Sequence, residues 1–202
     1  MSLIIDNKPE QKTDEKREAP IKEGIYDARC IALVDLGKQE DNFDPNNIQW
    51  RTKIWLEFEI PGEPDPKNGL PHKVSISNFG WTLSFHEKSK LLPEINKWIG
   101  EDIEEGDNFQ LPEFIKEDIP CRVKVIDNNG YNEVTKIMAA KNEVPAREAP
   151  PLIFDINDDL NNQELLDHIP PFIRKIIFKS KEGSEYRKKL EHEEEFDGDI
   201  PF

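Results

Sequence analysis

At 202 residues, with 36% hydrophobic side chains and a mean hydropathy of −0.75, the chain is too polar to pack end to end. One compact core with loosely packed flanks is expected. The net charge of −15 excludes general adhesion to phosphate or anionic lipid, so any nucleic-acid site must be a local groove. No apolar run approaches bilayer length, and the opening MSLIIDNKPEQKTDEKRE turns polar early, unlike a signal peptide or anchor.

Residues 1–22, dense in Lys, Glu, Asp and Gln with Pro9 and Pro20, read as a disordered arm. Gly24 opens the first strand pattern, IYDARCIALVDL, apolar enough to be covered on both faces. GKQEDNFDPNN reads as a loop. WRTKIWLEFEI alternates most cleanly, with Ile54, Leu56, Phe58 and Ile60 on one face and Lys53, Trp55, Glu57 and Glu59 on the other. HKVSISNFGWTLSF is the third strand region, with Gly80 as a bulge or bend. HEKSKLLPEINKWIG changes to helical spacing, with Leu91, Ile95, Trp98 and Ile99 in one stripe and Gly100 as its cap. LPEFIKEDI predicts a short helical turn; CRVKVI and NEVTKIMAA predict a hairpin joined by DNNG. Cys30 and Cys121 sit in apolar runs and read as reduced core residues, with a disulfide between them open on spacing alone.

Five strands with a helix between the third and fourth follow the order of an OB-fold, a small Greek-key barrel. The expected architecture is therefore mainly β: an OB-like five-stranded barrel over residues 23–142 with an inserted helix. Residues 143–190 add a Pro-rich extended stretch and a helical extension with Ile169, Phe172, Ile173, Ile176 and Ile177 on its apolar face. Residues 191–202 form an acidic tail that alone holds six acids and no Lys or Arg.

Catalytic chemistry finds little material. There is no phosphate loop, CxxC pair or HExxH spacing, the four histidines are scattered, and the acids at residues 101–105 lack calcium-loop spacing. His86 and Glu87 beside Ser84 and Ser89 read as a helix start rather than a catalytic cluster. No enzyme activity, cofactor or metal is expected. Binding has better material. Lys53 and Trp55 lie on the polar face of the clearest strand, with Trp50 and Arg51 at its start, and Lys73, Phe79 and Trp81 on the next. Lys88 and Lys90 follow, and Arg122 and Lys124 hold the non-core parity of the fourth strand. A flat ring stacks on any base for about 1–3 kcal/mol while adjacent cations track phosphates. Phe79 and Trp81 have a competing reading as core, and Trp98 reads as packing. In the tail, Ile200 and Phe202, with Pro201 between them, suit a partner's pocket, while Asp197 and Asp199 steer toward a basic rim.

The final DGDIPF resembles the C-terminal peptide of bacterial single-stranded DNA-binding proteins, with Gly198 where that family usually carries Asp. The segments GIYDARCIALVDLGKQ, WTLSFHEKSKLLPEINKWIGEDI, IPCRVKV and LDHIPPFIRKIIFKSKEGSEY are similar to a group of bacteriophage single-stranded DNA-binding proteins. The resemblance implies a protein that coats and protects single strands during phage replication or recombination in the cytoplasm of an infected bacterium. It also implies recruitment of replication enzymes through Asp197, Asp199, Ile200, Pro201 and Phe202. A homo-oligomer stays open. The alternative is an acidic interaction protein that docks on those enzymes without binding DNA.

Overall fold

The computed structural model describes residues 20–41, 49–86, 88–103 and 107–197. Alternating apolar residues, interrupted by turn chemistry, build β1 (Gly24–Asp41), β2 (Gln49–Pro64) and β3 (Pro71–Ser75). A two-residue β4 (Trp81–Thr82) follows, then helices α1 (Leu91–Ile99) and α2 (Leu111–Lys116). The hairpin of β5 (Cys121–Asp127) and β6 (Asn132–Ala139) comes next. Its Asn129 and Gly130 both have positive φ, as a tight two-residue turn requires.

Five strands close on themselves. β1 pairs antiparallel with β2 and with β5, β2 with β3, and β5 with β6, while a parallel bridge from Ser75 to Glu133 joins β3 to β6. This is an OB-like barrel with helices inserted before the fourth barrel strand. β1 reaches both neighbours because it bends: residues 24–28 pair with β5, and residues 29–41 with β2 across two register shifts. Ala28, Cys30, Leu56, Phe58, Val123, Val125, Val134 and Ile137 fill the interior. Cys30 and Cys121 are free thiols in this core; burial pushes Cys30 up to about 12 and Cys121 well above its ordinary value.

α1 plugs one end. Leu91, Ile95 and Trp98 face the core, and the buried Glu94 carboxylate accepts the Ile137 N–H at 2.6 Å. Trp98 donates its indole N–H to the carbonyls of Ile119 and Pro120 and packs against Phe58 and Phe114.

Two expectations change. The third strand region is broken: β3 and β4 pair in turn with β2, separated by a turn ending at Gly80. Gly80 has φ +69, and a Cβ there would come within 2.6 Å of the Ile54 carbonyl oxygen, so the chain turns where only glycine fits. At the N-terminus, Ile21 exchanges two hydrogen bonds with the Asn132 side chain, so attachment to the barrel begins inside the expected arm; residues 1–19 lie outside the described residues.

Residues 143–190, whose packing the sequence leaves open, complete the core. β7 (Leu152–Phe154) pairs in parallel with Ala32, Leu33 and Val34 of β1, beyond the stretch of β1 paired with β5. Short helices α3 (Ile156–Asp159), α4 (Gln163–His168) and α5 (Pro171–Ile177) then bury Ile156, Leu166, Ile169, Ile173 and Ile177 in the same cluster. The long α6 (Lys181–Asp197) returns along β1. Gly37 (φ +72) admits this approach: a Cβ there would meet Ile156, Ser180 and Glu182 side chains within 2.8 Å. Lys38 then donates its backbone N–H to the Glu182 carboxylate at 2.8 Å.

Candidate nucleic-acid interface

The alternation of β2 holds in three dimensions, but its consequence differs from the sequence expectation. Trp55 does point away from the barrel interior, on the same face as Lys53 and Glu57, yet it is only 1% exposed. Phe172 of α5 stands edge-on to its ring, with centroids 6.4 Å apart. A base cannot reach a ring sealed under a helix, so Trp55 is a packing residue. Trp81 takes its core reading: it is 4% exposed, and Lys90 Nζ sits 4.4 Å from its ring centroid. Lys90 therefore covers the ring that it was expected to flank.

Other expected residues remain accessible but do not form one strip. Trp50 is 48% exposed at the start of β2, opposite Glu40. Arg51 beside it donates to Gln49 Oε1, and Lys53 is half-buried opposite Gly37. Lys73 is exposed on β3 opposite Glu59, and Lys88 is exposed before α1, its backbone N–H donating to His86 Nδ1. Arg122 is half-buried and donates Nε–H to the Ala139 carbonyl; Lys124 is exposed opposite Lys136. β1 separates these β5 cations from Trp50, because Lys124 pairs with Ile25 and Trp50 with Glu40 near its other end. Asp197 ends α6, while Asp199, Ile200, Pro201 and Phe202 lie outside the described residues. Among the described residues no three His, Cys, Asp or Glu converge as a metal site, and no helix is long and apolar enough to cross a membrane.

Phe79, the most exposed large apolar residue among the described residues at 78%, stands on the β3–β4 turn. It lines a cleft of about 120 Å³ together with Tyr131, which is 57% exposed at the end of the β5–β6 hairpin turn. Ser75, Ser77, Asn78, Asn128 and Asn132 line the same cleft, with Glu133 accepting from Asn128 Nδ2 at 2.7 Å. Two rings with amide and hydroxyl groups in the same cleft can stack on a planar heterocycle and hydrogen-bond its rim. Tyr131 was missed in sequence because it reads as hairpin punctuation after DNNG. Only closure of the barrel brings it to Phe79, through the Ser75–Glu133 bridge.

The acids of the β2 outer face are less innocent than a solvated stripe. Burial pushes Glu57 up to about 7 from its ordinary 4.5, with Lys73 pulling it back, and Glu59 is raised for the same reason. Burial likewise pushes Asp35 up to about 6, helped by the charges of Asp155 and Glu182. A carboxyl with a raised folded pKa holds its proton better folded than unfolded, so its ionisation costs stability as pH rises from about 4.5 to 7. Glu57→Gln is therefore expected to stabilise the protein at pH 8, on the order of 2–3 kcal/mol by linkage. The difference should largely vanish at pH 4. Urea midpoints of both proteins at the two pH values check this; equal gaps at both would show that Glu57 ionises freely.

Against this geometry, no family model matches the chain, and neither a curated protein nor a solved structure matches it significantly.

Proposed function

We propose that this protein binds and protects single-stranded DNA with little sequence preference, acting without catalysis in phage replication or recombination inside the infected bacterium. The observation that carries this reading is the aromatic cleft on an OB-like barrel, where Phe79 and Tyr131 converge from two turns. Exposed rings cost hydration free energy, and their placement beside amide groups suits base stacking. Trp50 with Arg51, at the open end of β2, supplies a second ring-and-cation pair. Residues 197–202 serve in this reading as the segment that recruits replication enzymes.

Fluorescence anisotropy with labelled oligo-dT tests it. The wild type should bind at ~50 mM salt and weaken steeply as salt rises. Phe79→Ala and Tyr131→Ala should each lose roughly 5- to 150-fold in affinity, the equivalent of about 1–3 kcal/mol per stacked base. Both rings are exposed, so the unfolding midpoint should stay near that of the wild type. Absence of wild-type binding at low salt would overturn the reading in favour of an acidic docking protein. One observation points that way: the chain's own α5 closes the outer face at Trp55.

A further inference from the structure

Charge along this chain is unevenly placed. Residues 171–190 hold seven Lys or Arg against two Glu, a net +5 inside a chain of −15. The fold gathers part of this excess. Pro171, Arg174, Lys175, Phe178, Lys179 and Arg187 line one groove of about 480 Å³ where α5 passes into α6. Lys175, Lys179 and Arg187 are exposed, and Phe178 is half-buried among them. Arg174 is steadied by Asp167 at 3.1 Å.

The groove is anchored rather than loosely attached. Ile173 and Ile177, on the opposite side of α5, are fully buried in the main hydrophobic cluster. Gln39 donates its amide N–H to the Ile176 carbonyl at 3.2 Å, and Gln39 pairs across β1–β2 with Arg51, the neighbour of Trp50. The helix that closes the face over Trp55 is thus fastened to the strand position paired with Arg51, next to the exposed Trp50.

We infer that the α5–α6 groove is a phosphate-backbone site for a single-stranded nucleic acid, continuing the path from Trp50 and Arg51. Three or four cations on a fixed helical pair can neutralise successive phosphates, and Phe178 gives the groove an apolar floor for sugar or base. The site rests on the single-strand reading above and adds where the backbone charge is met. It also resolves how an acidic protein holds a polyanion: the cations are concentrated on one anchored element.

The test uses the full chain and oligo-dT over a series of KCl concentrations. Lys175→Ala/Lys179→Ala/Arg187→Ala should reduce the slope of log affinity against log salt by about 2, at ~0.7 per phosphate for single strands. Affinity near 100 mM salt should fall roughly tenfold or more. Lys67→Ala/Lys116→Ala/Lys141→Ala, an equal charge change at exposed positions elsewhere, should leave the slope near wild type. Phe79→Ala should lower affinity with little change of slope. All the substituted cations are exposed, and thermal melts confirm that each variant is folded. If the wild type binds and the groove variant keeps its slope, the groove inference fails while the single-strand reading stands. If the wild type does not bind at all, the parent reading fails. Binding of a peptide of residues 191–202 to the wild type and not to the groove variant, without oligo-dT binding, would make the groove an acidic-peptide site instead.

Discussion

Replacing Trp55 with Ala should lower the free energy of unfolding by about 3–5 kcal/mol, the range for large-to-small changes of buried aromatics. The ring is 1% exposed and lies between the outer face of β2 and α5, where Phe172 meets it edge-on. Truncation opens a cavity under α5 that neither the strand nor the helix can close without losing register. Trp55→Phe should cost far less, because the indole N–H has no hydrogen-bond partner among the described residues and none is lost with it. Trp50→Ala gives the contrast: half-exposed at the start of β2, it should leave the unfolding midpoint nearly unchanged. Urea denaturation of the three variants checks the set. A loss under about 1 kcal/mol for Trp55→Ala would mean that α5 does not seal the ring in solution.

The second large effect is expected at Arg29, which is 8% exposed and joins three parts of the chain. Its Nε donates to the Pro145 carbonyl at 3.0 Å, Nη2 to the Val144 carbonyl at 2.5 Å, and Nη1 to the Asp118 carbonyl. The Asp118 carboxylate lies 3.5 Å from the same guanidinium and 3.0 Å from Arg147 Nε. Arg147 in turn donates to the carbonyls of Cys30 and Ile115. The two arginines therefore pin the extended segment after β6 against β1 and the end of α2. Arg29→Ala should cost about 3–5 kcal/mol, since it strands buried carbonyls and leaves the carboxylate with one cation. Arg29→Lys should recover only a minor part, because an ammonium cannot present the planar fork that meets three carbonyls. Denaturant midpoints measure both. Near-wild-type stability for Arg29→Ala would show that the segment is held by β7 and the helices alone.

Both positions also show what could be read beforehand. Trp55 was assigned to the correct side of its strand, because alternation is a property of the strand itself. Its exposure was misjudged, because the covering Phe172 lies more than a hundred residues downstream. Arg29 drew no attention, since a cation in an alternating run reads as solvated until the carbonyls of Val144 and Pro145 are seen to converge on it. Gly80 was legible as a bend, yet its role in splitting β3 from β4 depends on how near the Ile54 carbonyl comes. The cleft follows the same division. Phe79 was singled out from sequence, whereas Tyr131 joins it only through barrel closure.

The sequence by itself determined the strand parities, the hairpin at DNNG, the α1 stripe and the order of elements that leads to an OB-like barrel. These follow from backbone period and turn chemistry, which act within a few residues. Only the tertiary structure decided which outward faces meet solvent. It placed residues 143–190 on the outer face of β1 and β2, buried Trp55 and Trp81, and gathered cations where α5 meets α6. The physical reason is that burial depends on which distant element supplies the complementary apolar face, and no local pattern carries that information.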